Sequence, residues 1–292
     1  MRQVLRPLLV RHPDARFREQ VRKAGGKRFE YVLVEEWDQL RELVRSSPPA
    51  ALIVVDPYGG DATELSGALR ALLLEFPSAT VIAALELRPD RYRDLRTLGA
   101  WGVSDVIVRG EDDTLEAMAR RLRAIQGRPL QSLLERSLPS NTSGQARALL
   151  MAAAEVVSTG GQARELARML YLSPRTLLRW CDRAELPPPR RILVWMRVLM
   201  AAELLDDPGR TVSSVAHACG YSSDNSLRRA LQDFLDTTPT TLRRDGAFST
   251  ASVAFLKDLA KSRDYLGLSL SASPPADQRE LRRSAPARSS RG

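Results

Sequence analysis

Two stretches of the sequence carry side chains that can hydrogen-bond to nucleic-acid bases at matching positions. They are ELARMLYLSPRTLLRW at 165–180 and SVAHACGYSSDNSLRRAL at 214–231. Arginine can form paired hydrogen bonds with guanine, and asparagine can form them with adenine, when a helix presents either residue in the major groove. The side chains that we predict to contact bases or phosphates are Arg175, Thr176, Arg179, Asn225, Ser226, Arg228 and Arg229.

The two stretches share one plan, in which a helix with an internal alanine is followed by a tight turn, a serine and a second helix. Ala167 precedes Ala216 by 49 residues, whereas Arg179 precedes Arg229 by 50, so the extra residue of the second stretch falls in the turn. Two helices that cross steeply need a small residue where they approach each other. The plan therefore predicts two helix-turn-helix units.

The turn residues have identifiable roles in such units. Gly220 can adopt the left-handed conformation that ends a helix. Ser173, and either Ser222 or Ser223, can accept a hydrogen bond from a free N–H of the next helix. The leucines predicted to face the core are Leu177, Leu227 and Leu231.

Helical patterns fill the chain from 145 to 245, and an apolar helix at 190–205, RRILVWMRVLMAAELL, separates the two units. We expect Trp180, Trp195 and Met196 to belong to the core because of their apolar periodicity. The predicted helices are 145–158, 162–170, 174–183, 190–205, 212–219, 224–235 and 239–244.

Residues 145–245 resemble the DNA-binding domain of AraC-type transcriptional regulators. The matching pieces are RVLMAAELL at 197–205 and VAHACGYSSDNSLRRALQDFLDTTPTTLR at 215–243. The resemblance implies a long central helix that holds two recognition helices against successive major grooves of DNA. Leu227 and Leu231 stand where the family usually has phenylalanine, and Asp224 replaces a residue that is more often neutral.

The first half of the chain alternates short β-branched apolar runs with helical patterns, which predicts a doubly wound parallel sheet. The fold class is thus an α/β domain with five parallel strands, flavodoxin-like, followed by an all-helical domain. The predicted strands are 5–10, 31–34, 51–56, 80–85 and 105–108. The predicted helices are 14–24, 37–45, 62–75, 91–98 and 114–125.

Residues 4–126 resemble a response-regulator receiver domain, through ALIVVD at 51–56 and LGAWGVSDVIVRG at 98–110. The resemblance places Asp56 where the family carries its phosphorylated aspartate. That chemistry also needs carboxylates after the first strand to hold Mg²⁺, and here LLVRHPD supplies Arg11 and His12. The expected hydroxyl falls near Ala84 or Leu85, and Arg109 replaces the lysine. We expect Asp56 to be an inactive, phosphoacceptor-like residue that caps the turn after its strand.

Composition limits the other possibilities. The net charge of +9 is spread as +2 over 1–140, +3 over 141–245 and +4 over 246–292, so charge alone does not establish nucleic-acid binding. Cys181 and Cys219 are predicted to be buried thiols. We expect no catalytic residue, metal, cofactor or membrane span, and a cytoplasmic location.

We divide the chain into a degenerate receiver-like domain at 1–126, a linker at 127–144, a DNA-binding domain at 145–245, and a mostly disordered tail at 246–292 that contains a short helix near 249–262. The prediction is a sequence-specific regulator that binds double-stranded DNA, is not an enzyme, and uses its first domain for homodimerisation or signal reception, with the effector unknown. Two alternatives remain open, namely a phosphorylation-dependent response regulator using Asp56 and a scaffold that does not bind DNA.

Overall fold

The N-terminal domain is built on five parallel strands in the order β2-β1-β3-β4-β5. This is the flavodoxin-like order of doubly wound folds, as the alternating pattern predicted. The strands are β1 Arg6–Arg11, β2 Phe29–Leu33, β3 Leu52–Val55, β4 Thr80–Leu85 and β5 Asp105–Val108. The computed structural model describes residues 6–58, 63–112, 114–126, 128–158 and 161–271; Leu5 and Ala62, at the edges of two predicted elements, lie outside them.

Alternate residues of each central strand point into two separate apolar layers. Leu9 and Ile53 pack with Leu40 and Leu69 on one face of the sheet. Leu8 and Val54 pack with Phe17 and Met118 on the other. The covering helices are α1 Ala15–Gly25, α2 Trp37–Ser46, α3 Gly67–Glu75, α4 Tyr92–Trp101 and α5 Leu115–Gln126. Burial on both faces explains why the strands appear in the sequence as continuous apolar runs.

The C-terminal domain is helical and centres on α10, Pro189–Leu205, whose buried residues include Trp195 and Met196 as predicted. All its other helices except α6 have several residues close to α10. They are α6 Arg128–Ser137, α7 Gly144–Ser158, α8 Ala163–Met169, α9 Pro174–Arg183, α11 Val212–Ala218, α12 Asp224–Leu235, α13 Pro239–Arg244 and α14 Ala247–Ser271. In the part of the chain that the structure describes, no helix is long and apolar enough to span a membrane.

Two segments differ from the predicted domain boundaries. The predicted linker at 127–144 contains α6, whose Leu133 and Leu134 are buried in the core of the helical domain. Only the turn at 138–143 separates α6 from α7.

The predicted tail contains a longer helix than expected, because α14 extends to Ser271 rather than ending near 262. Its buried residues Ala247, Ala251, Phe255 and Leu259 recur every four positions, the spacing of one helical face. Residues 272–292, also assigned to the disordered tail, lie outside the described residues.

The helical domain docks on the amino-terminal edge of the sheet through the loop 206–210, between α10 and α11. The Gly209 N–H donates to the Glu75 carbonyl at 2.9 Å, and the Arg45 Nε–H donates to the Gly209 carbonyl at 2.9 Å. A second contact joins Arg6, at the start of β1, to Glu155 in α7. Helix α11 also lies against α2, so the second helix-turn-helix unit contacts the N-terminal domain directly.

Candidate nucleic-acid interface

The first unit consists of α8, a tight turn and α9. The turn closes through a 2.8 Å hydrogen bond from the Leu172 N–H to the Ala167 carbonyl. Tyr171 lies in the left-handed region, with φ of 55°. The Ser173 hydroxyl then accepts the Thr176 N–H at 3.1 Å and caps α9, as predicted.

The second unit, α11 to α12, repeats this geometry closely. The Tyr221 N–H donates to the Ala216 carbonyl at 2.9 Å. Gly220, with φ of 72°, occupies the place that Tyr171 has in the first unit. Ser223, rather than Ser222, caps α12 by accepting the Ser226 N–H at 3.2 Å. Ser222 is therefore the extra turn residue that changes the offset from 49 to 50.

The repeat extends to the N-termini of α8 and α11, a similarity that aligning the two stretches of the sequence did not reveal. Gln162 and Glu165 form a capping box at the start of α8. Thr211 and Ser214 form another at the start of α11, with an offset of 49 residues. The two units thus share the first helix, its cap, the turn and the cap of the second helix.

The second helix of each unit presents an exposed polar face. Arg175, Arg179, Asn225, Arg228 and Arg229 are all exposed. Among the residues that the structure describes, none of the four arginines forms an ion pair, in contrast to Arg191, Arg210 and Arg244 of the same domain. These guanidinium groups are therefore available to an anionic partner.

Two of the predicted contact residues have local roles in the turns. Thr176 and Ser226 are half-buried. The Thr176 hydroxyl lies 2.9 Å from that of Ser173, and the Ser226 hydroxyl lies 2.7 Å from that of Ser222. Their first role in the structure is to order the helix N-termini.

Two further residues lie on the same faces and were not predicted. Leu178 is 43% exposed beside Arg179 and occupies the position that Arg228 has in the second unit. Gln232 is exposed one turn after Arg228. Helical spacing would have indicated both residues, since Leu178 lies three positions after Arg175 and Gln232 lies four positions after Arg228.

Asp224 is the first residue of α12, next to the capping Ser223. A carboxylate in the first turn interacts favourably with the positive end of the helix dipole. Its position in the helix thus provides a structural reason for an acidic residue at this place.

Both cysteines are buried and free, as predicted. Burial raises the pKa of Cys181 and of Cys219 to about 12. Thiols with such pKa values are poor nucleophiles at neutral pH.

The surroundings of Asp56 do not fit a Mg²⁺ site. The Arg11 guanidinium lies 4.2 Å from the ring centroid of Trp37, and buried His12 packs against Phe17. Within the described part of the chain, no group of three or more acidic, histidine or cysteine side chains could hold a metal ion. The Asp56 carboxylate instead accepts the Tyr58 N–H at 3.0 Å, which caps the turn as expected.

Arg109, which the resemblance to receiver domains places where those domains have a lysine, forms an ion pair with Asp14. Asp14 also caps α1 by accepting the N–H groups of Arg16 and Phe17. The cation at the end of β5 is thus held by a carboxylate with a structural role.

Residues 166–245 match the family described as a helix-turn-helix domain. The match spans both units, from within α8 to the end of α13, and identifies an AraC-type helix-turn-helix domain. The protein is a DNA-binding regulator of transcription. Comparison with the curated proteins and with the solved structures gives no match to this chain.

Proposed function

We propose that the protein regulates transcription by inserting α9 and α12 into successive major grooves of a specific DNA site. The observation that carries this proposal is the repeated geometry of the two units, which leaves the same helix face exposed in each. The predicted contacts on these faces are Arg175, Thr176, Arg179, Asn225, Ser226, Arg228 and Arg229, to which we add Leu178 and Gln232.

The decisive experiment begins with selection and sequencing of bound genomic fragments, which gives the target site. Arg179→Ala and Arg229→Ala are then measured on that site by fluorescence anisotropy. Each lost bidentate base contact should cost about 1–3 kcal/mol and relax specificity at one position. Arg120→Ala, which removes an exposed arginine from α5, is the matched control and should bind as the wild type does.

Sequence-specific binding that survives in a variant carrying both Arg179→Ala and Arg229→Ala would overturn this assignment. A scaffold whose helix-turn-helix units bind another protein would show no sequence preference in the selection and little dependence of DNA affinity on salt. Phosphate contacts release counterions, so a DNA-binding face makes the affinity fall steeply with salt concentration.

We propose that the N-terminal domain serves dimerisation or signal reception without phosphorylation. The support is the side-chain set around Asp56, in which Arg11 and His12 replace the metal-binding carboxylates. Incubation with acetyl phosphate and Mg²⁺, followed by intact-mass measurement, should show no added phosphoryl group. A stoichiometric mass increase that Asp56→Asn abolishes would favour the phosphorylation-dependent alternative. Sedimentation of the full chain tests dimerisation.

A further inference from the structure

A cavity of about 340 Å³ opens at the carboxyl-terminal edge of the sheet, opposite the edge on which the helical domain docks. It is formed where β1, β3, β4 and β5 end, and its walls include His12, Asp56, Tyr58, Arg88, Arg91 and Arg109. Doubly wound folds bind their ligands at this edge, beside the point where the strand order reverses. The volume lies within the range of about 300–1,000 Å³ that small-molecule sites occupy.

Arginines outnumber carboxylates among the residues that line this cavity. Arg88, Arg91 and Arg109 line it together with two carboxylates, Asp56 and Glu86. Burial lowers the pKa of His12 to about 4, so its imidazole is neutral at physiological pH. Arg88 pairs with Glu86 and Arg109 pairs with Asp14, so among the described residues Arg91 is the lining arginine without an ion pair. Asp56 and Glu86 also offer acceptors for hydroxyl or amino groups.

Two of the arginines are held in place while retaining donors for a ligand. The Arg91 guanidinium lies 4.0 Å from the centre of the Tyr58 ring, and Arg91 forms no ion pair within the described residues. Arg109 is fixed by Asp14, yet its Nε is buried and has no hydrogen-bond partner there. A buried donor without an acceptor is unfavourable, and a shift of the Arg109 side chain that brings this Nε–H to an anion in the cavity would satisfy it.

We propose that this cavity binds a small organic anion, with its phosphate or carboxylate group on Arg91 and Arg109 and its hydroxyl or amino groups on Asp56 and Glu86. The binding is non-covalent and does not use Asp56 as an acceptor of phosphate. It gives a ligand class to the signal reception in the proposed function, and it rests on that function only for its effect at DNA.

The test uses inorganic phosphate and citrate as probes on the full chain, with glycerol as an uncharged control. Arginine labelled with ¹⁵N at Nε reports each guanidinium by NMR, and Arg109→Lys assigns the signal of Arg109 by its loss. We expect a saturable shift of the Arg109 Nε–H signal with either anion at constant ionic strength, and none with glycerol.

Variants separate this site from other arginine-rich surfaces. Arg91→Ala should weaken phosphate binding at least tenfold, whereas Arg93→Ala, an exposed neighbour in α4 outside the cavity, should leave it unchanged. Asp56→Asn removes a negative charge and keeps the oxygen that accepts the Tyr58 N–H, so phosphate should bind several-fold more tightly.

Equal binding by the wild type and Arg91→Ala would overturn the proposal, as would anion-induced shifts confined to Arg179 and Arg229. DNA binding is measured separately and without the anions. Loss of sequence-specific DNA binding with an intact Arg109 response would therefore contradict the proposed function and leave the anion site standing.

Discussion

Asp207 and Arg210 form a buried ion pair at the boundary between the two domains. The Arg210 Nε lies 3.0 Å from the Asp207 carboxylate, and each side chain is only 2% exposed. Both residues also bond across the boundary, since Asp207 accepts the Ser78 N–H and Arg210 donates to the carbonyl of Ser47. One ion pair in the loop before α11 thus connects the second helix-turn-helix unit to the sheet domain.

Removing one partner of this pair should be costly. Asp207→Ala leaves the Arg210 charge buried without its counter-ion, so we expect a loss of about 3–5 kcal/mol in the free energy of unfolding. Urea unfolding of the full chain measures it. Asp245→Ala breaks the exposed pair of Arg244 and Asp245 and should have no measurable effect. Equal effects of the two variants would contradict this interpretation of the boundary.

Gly209 is a close-approach position at the same boundary. A Cβ on Gly209 would lie 2.7 Å from the buried ring of Phe76. Gly209→Ala should therefore shift the loop away from α3 and destabilise the protein by about 1–3 kcal/mol. Thermal unfolding gives the loss, with Gly144→Ala, where a Cβ meets no atom within 4 Å, as the control. An unchanged unfolding temperature of Gly209→Ala would mean that the Phe76 ring moves aside at little cost in free energy.

Leu178 should contribute specificity through an apolar contact in the first unit. A leucine side chain on a recognition helix can pack against a thymine methyl group, which the major groove exposes. Leu178→Ala should cost about 1 kcal/mol of binding free energy, since it removes apolar carbons that the contact with the methyl group would bury. Scanning the site with deoxyuridine for thymidine identifies the partner base. The substitution at that base should weaken the wild type and leave Leu178→Ala unaffected; equal weakening of both would refute the contact.

The stability of the protein should decrease in mildly acidic solution because of His12. Burial lowers the pKa of folded His12 from 6.5 to about 4, and its Nδ1 accepts the Asp14 N–H at 3.1 Å. The unfolded chain takes up a proton near pH 6.5, whereas the folded chain resists protonation down to about pH 4. As the pH falls between these values, His12 alone should thus lower the free energy of unfolding by about 3 kcal/mol.

The comparison with His12→Gln isolates this contribution, because glutamine can accept the same hydrogen bond and does not titrate. Chemical unfolding at pH 7.5 and pH 4.5 should show a larger loss in the wild type than in the variant. The same loss in both proteins would assign the acid sensitivity to other groups.

Local patterns were sufficient to predict the five strands and the two helix-turn-helix units. Continuous apolar runs predict the parallel strands, and the alanine, the turn and the capping serine predict each unit, because all these signals lie within a few neighbouring residues. The exposed positions of Arg179 and Arg229 follow from the same periodicity. Whether these residues contact DNA stays a prediction.

Contacts between distant parts of the chain could not be predicted in this way. Asp207 meets Ser78 across 129 residues, and nothing near either residue indicates the partner. The sequence places α6 in a linker because the helix precedes a cluster of Pro, Ser and Asn. Leu133 and Leu134 are buried there only because α7 and α14, which come later in the chain, pack against α6. Tertiary packing outweighs local composition in both cases.

The direct contact of α11 with α2 gives the two helix-turn-helix units unequal attachments to the rest of the protein. The second unit is attached both to α10 and to the sheet domain, whereas the first unit is attached mainly to α10 and the helices around it. A small rotation of α2 would therefore act directly on the second unit, through α11, and on the first unit only through α10. If α9 and α12 enter successive major grooves as proposed, a change in the N-terminal domain would then alter the preferred spacing between the two DNA segments that these helices contact.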